Sequence, residues 1–513
     1  FGSSHFRSSC GTWHCHRHLV GSHGTCTVAM EGVADESLAV VLTFCPAQAT
    51  LSLAVCSSRF TDVARADVLW LPLAGRRWRF GALPGSGVPL PPGARDRASE
   101  SALADAAQAP PCQRTGAFAF FERRCRLDAE VATLTLQWDV AAHADAKDPG
   151  AELPAGCAVT LTGLASSPQY NGASGVVRGP VPDGSGRVRV ELAPLLRSLS
   201  IRGQNLSLVG PPLGRAEAEA RVLEHGAEAV DALARVVRAA PSGSSTRAAA
   251  RHLLAAATEQ WAIQQWQLLL GDPDRVDLLE EGGLVVSQWA APGEADVAAV
   301  RARLDEIAGI AEARVHPGMG LQERVDVVSS VLFDECGFFG NRDDYYDPRN
   351  SLLHCVLERR CGIPISLSII WAAVARRLGL QCFLCANFPA HILVRVDAGG
   401  QSLRDDLYID AFNRQVLDYN GLLQFTRTLG SWNFQEEFVV RRPATAVYAR
   451  LLRNLINIYT ERTSHARGAT SAAEKLHNVI GACSQAITIA DAYSHPEVEQ
   501  LRQVRDHAKA QLR

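Results

Sequence analysis

The stretch that most constrains the fold runs from Gly337 to Leu380, where a loop crowded with charges precedes a helix with almost no polar face. Pro364 suits the first helical position, because its missing N–H is not needed there. From Ile365 to Leu378 apolar residues occur on nearly every side, which predicts a helix packed inside a core. Gly379 ends it. The strand-like runs that follow are Gln381–Phe388, His391–Val396 and Leu407–Phe412.

The loop before this helix places turn-forming residues among charges and two tyrosines. This pattern predicts a structured loop held by its own hydrogen bonds. Its structural residues are expected to be Asn341, Arg342, Asp343, Tyr345 and Asn350. The neighbouring acids lack the alternating spacing and the closing glutamate of a calcium hand, so no metal is expected here.

Four blocks in this region carry a family resemblance. They read G-N-R-D-D-Y-Y-D-P-R-N-S from Gly340, V-L-E-R-R-C-G-I-P-I-S-L-S from Val356, F-P-A-H-I-L-V-R from Phe388 and Y-I-D-A-F from Tyr408. In this order they resemble the transglutaminase-like family typified by bacterial SirB regulator-type proteins, from about Glu281 to about Leu501. The resemblance implies a papain/transglutaminase-like α+β core, whose catalytic members use Cys, His and Asp.

The resemblance places His391 as the base and Asp410 as its orienting acid, on successive strands. In the enzymes a cysteine at the start of the buried helix has its pKa lowered by the helix dipole. Counting back about four turns from the end of the helix reaches Pro364, which has no nucleophile. Cys361 lies three residues earlier, between arginines and the helix. Three interpretations stay open: a Cys361–His391–Asp410 triad, a pseudo-enzyme whose groove binds protein, and a structural histidine.

Residues 33–80 show helical spacings with a break at Pro46 and a closing Leu69-Trp70 turn. This segment resembles an F-box, although the usual opening Leu-Pro is replaced by Val33-Ala34. The resemblance implies contact with a Skp adaptor. The residues expected to make it are Leu38, Leu42, Leu51, Leu53 and Trp70. The alternative is an ordinary helical hairpin that packs only internally.

The predicted fold class is multidomain and mainly α with α+β parts. Its parts are a disordered leader at 1–29, an F-box-like helical unit at 30–80, a linker plus helix at 81–151, a small β-barrel of the Src-homology (SH3-like) type at 152–210, a helical connector at 211–280, a SirB-type transglutaminase-like domain at 281–440 and a C-terminal helical hairpin at 441–513. The barrel resembles modules that bind peptides or nucleic acid, or that only space domains. Cysteines and histidines in 1–29 lack zinc-finger spacing, so no zinc site is expected there.

Composition restricts the compartment and the partners. The formal net charge is −3, which disfavours a general nucleic-acid or membrane-surface binder. No apolar run approaches the roughly 18–20 residues that span a bilayer. The 14 cysteines are scattered through apolar patterns, as reduced thiols are in a cytoplasmic or nuclear protein. We expect no cofactor, no nucleic acid and no membrane partner.

An F-box-like unit followed by a SirB-type domain resembles one class of F-box proteins. In that class a hemimethylated-DNA-binding-type domain follows, which is not expected in this sequence. The resemblance implies a substrate-recognition subunit of a Skp–cullin–F-box ubiquitin ligase, with the adaptor and cullin complex as partners and an unknown client. The alternatives are a cysteine-dependent transamidase or peptidase, and a protein-interaction scaffold outside any ligase.

Overall fold

The computed structural model is that of a mixed helical and sheet protein with two compact units, residues 1–126 and 127–513. It describes residues 7–8, 11–12, 116–143, 153–193, 195–271, 278–400, 402–430, 433–460, 471–491 and 497–512. The predicted F-box-like unit at 30–80, with its five adaptor-contacting residues, lies outside the described residues. So do most of the leader and most of the linker.

In the first unit, β1 (Arg7–Ser8) pairs antiparallel with β2 (Gly11–Thr12). Helix α1 (Gly116–His143) begins in this unit and continues into the second. The sequence pattern predicted one helix here from Gly116, and α1 is one helix.

After α1, the second unit continues with a five-stranded antiparallel sheet whose spatial order is β6-β5-β4-β3-β7. The strands are β3 (Ala158–Leu161), β4 (Ser174–Pro180), β5 (Arg187–Ala193), β6 (Arg197–Arg202) and β7 (Leu206–Gly210). One face carries a small apolar core that includes Val159, Val177, Val190 and Leu192. The sheet occupies the segment where a small barrel was predicted, and closure into a barrel stays a prediction.

A helical region follows the sheet. Its helices are α2 (Arg215–Glu224), α3 (Ala227–Ala239) and α4 (Ser245–Leu269). This region lies in the helical connector predicted at 211–280, and Gly226, at φ 55°, separates α2 from α3. Ser244 caps α4 by accepting a hydrogen bond from the Arg247 amide.

The buried helix is α9 (Pro364–Arg377), and its residues from Pro364 to Ala375 are all buried. The elements before it are α5 (Leu278–Ala290), α6 (Val297–Glu312), α7 (Leu321–Ser330), a wide helical turn at Val331–Glu335, β8 (Phe339–Gly340), a short turn at Pro348–Ser351, α8 (Leu353–Arg359) and β9 (Cys361–Gly362). Helices α5, α6 and α7 pack against α9. Gly379, at φ 77°, follows the helix end as predicted.

A second antiparallel sheet covers the other side of α9. It consists of β10 (Cys382–Leu384), β11 (Val394–Val396), β12 (Leu407–Asp410) and β13 (Gln415–Leu417), paired in chain order. Helix α10 (Tyr419–Thr428) packs on this sheet. The predicted strands at 381–388 and 391–396 are shorter in the structure, because the chain leaves the sheet between Cys385 and Leu393.

The C-terminal helices close the fold over α4 and α5. They are α11 (Ala444–Thr460), α12 (Ala472–Asp491) and α13 (Val498–Leu512). The indole N–H of Trp266 in α4 donates to the side-chain oxygen of Gln485 in α12, at 2.9 Å, and both residues are fully buried. Ser484 donates to Glu259 of α4 at 2.6 Å. Among the described helices, none is long and apolar enough to cross a membrane.

Candidate functional site

His391 and Asp410 meet at one end of the second sheet. Strand β11 pairs antiparallel with β12 in a register that sets Val394 opposite Ile409. Asp410 is the last residue of β12. His391 lies in a bend three residues before β11, not on the strand itself as the sequence predicted. Ala390, at φ 55°, turns the chain immediately before the histidine.

The His391 side chain forms a direct pair with Asp410. Its Nε2 lies 2.9 Å from Asp410 Oδ1, and the side chains are 10% and 0% exposed. A carboxylate only accepts hydrogen bonds. Nε2 therefore carries a hydrogen and donates a hydrogen bond to Asp410. In the tautomer with hydrogen on Nε2 alone, the lone pair lies on Nδ1, which can accept a hydrogen bond from another group.

The carboxylate of Asp410 also holds the turn that follows β12. It accepts hydrogen bonds from the amides of Phe412 and Asn413, both at 3.1 Å, and from the Asn413 side chain at 2.6 Å. Burial pushes the pKa of Asp410 upward, but the bonds from His391 and Asn413 outweigh burial and leave this pKa below its ordinary value. The Asp410 carboxylate is therefore held in place by several hydrogen bonds. It stabilises the turn at 412–413 and also binds His391.

Aromatic rings surround the histidine. The ring centroids of Phe425 and Phe412 lie 5.3 and 6.4 Å from that of His391. Tyr345 packs edge-on against Phe412 at 6.2 Å and against Tyr346 at 5.4 Å. Tyr345 is 38% exposed and Tyr346 59% exposed. We call Tyr345, Tyr346 and the half-buried Phe412 the aromatic surface, since the two tyrosines present rings to solvent and Phe412 connects them to the pair.

Cys361 lies close to this region but is not joined to it by a hydrogen bond. It sits in β9, opposite Phe339 of β8, and its next residue Gly362 pairs with Gly340. A Cβ on Gly340 would lie 2.5 Å from the Phe412 ring, so β8 packs directly against the aromatic surface. Cys361 itself is only 7% exposed. In the described part of the chain, no hydrogen bond connects its sulfur to His391.

The hydroxyl at the start of α9 is committed to structure. Ser366 Oγ lies 2.6 Å from the Asn350 carbonyl and 3.1 Å from that of Ile363, and it accepts the Ile363 amide at 3.2 Å. Ser366 is fully buried. Its hydroxyl therefore ties the loop to the helix and is not positioned as a nucleophile.

Backbone strain concentrates around the site. Among the described residues other than glycine, four have a left-handed φ, and three of them flank the site: Arg360 before Cys361, Ala390 before His391, and Arg414 after Asn413. Each such conformation costs about 1–2 kcal/mol for a residue with a side chain. Strained backbone of this kind tends to cluster at active sites and ligand-binding sites.

The loop before α9 is bonded to itself. Asn341 donates to the Asn350 side chain at 3.0 Å and accepts the Asp344 amide at 3.1 Å. Asn350 donates to the carbonyls of Asp344 and Tyr345. Arg342 donates to Asn413 and lies 5.5 Å over the Phe412 ring, which connects the loop to the turn that Asp410 holds. Asp343 is exposed.

Arg450, in α11, was missed by reasoning from the sequence. It donates to the carbonyls of Ala386 and Phe388, at 2.8 and 2.9 Å, in the loop that leads to His391. Burial and the nearby charge of Arg453 lower the pKa of Arg450. Its sequence context is an ordinary amphipathic helix, so only the folded chain reveals this contact. Phe425, in α10, was also missed, because only the folded chain reveals its contact with the His391 ring.

Burial makes two further cysteines unreactive. Cys382 and Cys385 form a Cys-x-x-Cys spacing, and burial raises the pKa of their thiols to about 11 and about 12. Within the described residues, no group of three or more His, Cys, Asp or Glu side chains is arranged to hold a metal ion.

Comparison with known proteins agrees with the sequence resemblance. Residues 298–453 match the model of the family described as "Transglutaminase-like superfamily". "F-box only protein 21" of Homo sapiens is 30% identical over 190 residues, which are 32% of this chain and 30% of that protein. Its Mus musculus counterpart is 44% identical over 99 residues, 18% of this chain and 16% of the relative.

Bacterial relatives match as well. A "UPF0162 protein" of Xylella fastidiosa (strain 9a5c) is 36% identical over 157 residues, 29% of this chain and 53% of the relative. The matches thus span between 16% and 53% of the length of these relatives. No solved structure matches. The chain therefore carries a transglutaminase-like domain and is homologous to F-box only protein 21 and to the UPF0162 proteins.

Proposed function

We propose that this protein is a substrate-recognition subunit of a Skp–cullin–F-box ubiquitin ligase. The observation that carries the proposal is the homology to F-box only protein 21, whose name assigns it an F-box. The sequence order agrees, since an F-box-like segment at 30–80 precedes the transglutaminase-like domain. In this proposal Leu38, Leu42, Leu51, Leu53 and Trp70 form the apolar face that meets the Skp adaptor.

In the same proposal the transglutaminase-like domain binds the client and performs no chemistry. Asp410 is occupied by the turn at 412–413 as well as by His391. Cys361 is buried and makes no hydrogen bond to His391 within the described residues. These features support a packed histidine–aspartate pair that shapes a binding surface.

The client would bind the aromatic surface beside this pair. Tyr345, Tyr346 and Phe412 present rings next to the guanidinium of Arg342. Tyrosine and arginine are enriched among the residues that contribute most to protein interfaces. An apolar client segment fits this chemistry, because the ring faces and the arginine stem offer apolar area with a polar margin.

A binding experiment with a purified Skp adaptor tests the ligase role. The full chain should retain the adaptor in a pull-down, and Leu38→Asp should abolish retention by introducing a charge into the proposed apolar face. His391→Ala is the matched control and should bind the adaptor as wild type does. If the wild-type chain fails to retain the adaptor, or if Leu38→Asp binds equally well, the ligase proposal is wrong.

A thiol enzyme is the second candidate. It is favoured by the orientation of His391, whose Nδ1 is left free by the Nε2–Asp410 bond. A transamidase or peptidase of this type would need Cys361 to lose its proton to that nitrogen. A thiol-directed electrophile distinguishes the two candidates, because a working pair would make the reactivity of Cys361 depend on His391.

A further inference from the structure

The first sheet of the second unit carries a cluster of arginines on its outer face. Along β5 the buried residues Val190 and Leu192 point to the core, so Arg187 and Arg189 point outward. On β6, Ile201 is buried and Arg202 is exposed. We call Arg187, Arg189 and Arg202 the arginine face.

The strand register brings two of these charges directly opposite each other. Arg187 pairs with Arg202, and Arg189 pairs with Ser200, two residues further along the ladder. Directly opposite residues have Cβ atoms about 4.5–5.5 Å apart, and like charges in that relation destabilise a sheet. The arginine face therefore lowers the stability of the hairpin unless an anion lies on it.

The acids of the sheet neutralise the arginine face only weakly: hydrogen bonds from Ser185 lower the pKa of Asp183 and the nearby guanidinium charge of Arg187 helps, but Asp183 and Arg187 form no direct ion pair. Glu191 is the outward acid of β5, and it is bound by Arg178, which also pairs with Asp139 at 2.8 Å. Asp183, in the turn before β5, accepts bonds from the amide and hydroxyl of Ser185. Among the described residues, no carboxylate forms an ion pair with any of the three arginines, and Arg187 donates only to the Ser200 carbonyl at 3.2 Å.

We propose that the arginine face binds an extended, acidic segment of a partner protein. In an extended chain, side chains on one side repeat every second residue, at about 6.6–6.8 Å. Arg187 and Arg189 have the same two-residue spacing on β5, so alternate Asp or Glu residues of the partner match them. Arg202 adds a third guanidinium, and guanidinium groups bind carboxylates through paired hydrogen bonds.

The structure favours an acidic protein over a nucleic acid. The exposed aromatic residues among those described are Phe339, Tyr345 and Tyr346, and none lies in this sheet, so it offers no platform for stacking bases. The formal net charge of the chain is −3, which opposes a long polyanion more than a short acidic peptide. The inference is independent of the ligase role, because it uses only residues of β5 and β6.

Fluorescence anisotropy with the full chain tests the proposal. The probe is a fluorescein-labelled (Glu-Ala)4 peptide, with (Gln-Ala)4 as the uncharged comparison. Wild type should bind the glutamate peptide and not the glutamine peptide. The double change Arg187→Gln with Arg202→Gln should weaken binding about 5- to 10-fold, the loss expected for exposed ion pairs. Arg189→Gln alone should give a smaller loss.

The matched control removes the same charge elsewhere. Arg221→Gln with Arg427→Gln changes two exposed arginines on helices and should leave binding within about twofold of wild type. Equal losses in both double variants would show a general charge effect and overturn the proposal. It would also be overturned by absence of binding to wild type, or by tighter binding of a single-stranded oligonucleotide that depends on the same arginines.

Discussion

The His391 imidazole and the Asp410 carboxylate are joined by a 2.9 Å hydrogen bond at the end of the second sheet. The same carboxylate receives three further hydrogen bonds from the turn at 412–413. The pair therefore links the loop before β11 to the turn after β12, whatever chemistry the domain performs.

Replacing Asp410 by alanine should destabilise the domain by about 2–4 kcal/mol, because four half-buried donors lose their acceptor. Urea unfolding followed by tryptophan fluorescence measures this change. Asp343→Ala, at an exposed acid of the preceding loop, is the control and should stay within about 0.5 kcal/mol of wild type. Equal effects of the two substitutions would contradict the structural role of Asp410.

The same carboxylate predicts an acid dependence. The pKa of Asp410 is lower in the folded chain than its ordinary value. Its contribution to stability is therefore present above the unfolded value of about 3.9 and is lost as the pH falls through the folded value. The stability difference between wild type and Asp410→Asn should shrink below about pH 4. A stability difference that stays constant down to pH 2 would contradict a stabilising role for the ionised Asp410 carboxylate.

Cys361 should react slowly with iodoacetamide at pH 7, and His391→Ala should not change its rate. Its burial restricts access, and no hydrogen bond connects it to the histidine in the described residues. Mass spectrometry of the labelled peptides gives the rate, with guanidinium-unfolded protein as the full-labelling control. Fast labelling that slows in His391→Ala would instead support the thiol-enzyme candidate.

Two glycine substitutions on neighbouring helices should have opposite effects. A Cβ on Gly282 would lie 2.4 Å from the Tyr448 ring and 2.8 Å from Trp266. Gly282→Ala should therefore cost about 1–3 kcal/mol through overpacking. Gly309, in α6, has nothing within 4 Å of such an atom. Gly309→Ala should stabilise by up to about 1 kcal/mol, the gain in helix propensity. Thermal unfolding of both variants checks the sign of each effect.

His477 should make the fold sensitive to mild acid. Burial and the nearby His252 lower its pKa to about 4, while the unfolded chain titrates near 6.5. Protons then bind the unfolded state preferentially between these values, so stability falls as the pH drops from about 6.5 to about 4, by on the order of 3 kcal/mol at most. His477→Gln should remove this part of the pH dependence in urea titrations. An unchanged slope would show that other groups cause this part of the pH dependence of stability.

The buried helix shows why part of the fold was predictable. Pro364 and Gly379 mark its ends through local backbone chemistry, so the sequence pattern alone placed α9 within a residue. The resemblance supplied His391 and Asp410. Neither source could supply the bend at Ala390, because a left-handed alanine has no sequence signature. Alanine-rich sequence on both sides of Gly226 favours a continuous helix, so the break between α2 and α3 could not be placed from the sequence.

Contacts between distant elements were not predictable. Asn413 reaches Asp410 from the turn after β12, Phe425 reaches the histidine from α10, and Arg450 reaches the loop before the histidine from α11. Strand β6 has no clear strand pattern in the sequence, because its outward positions are serines and an arginine, which resemble a loop. The sequence shows these residue types, but only the register of β5 and β6 shows that Arg187 faces Arg202.

The hydrogen bond between Trp266 and Gln485 joins residues 219 positions apart. During synthesis, α4 must leave the ribosome long before α12 exists. At that stage the Trp266 side chain lacks its hydrogen-bond partner Gln485 and the packing that buries it in the folded chain. Such non-local closure slows folding and prolongs the exposure of apolar surface. A nascent chain should therefore need chaperone protection until its last helices emerge. Protease resistance of α4 on stalled chains of increasing length would rise only after residue 491 if this is correct.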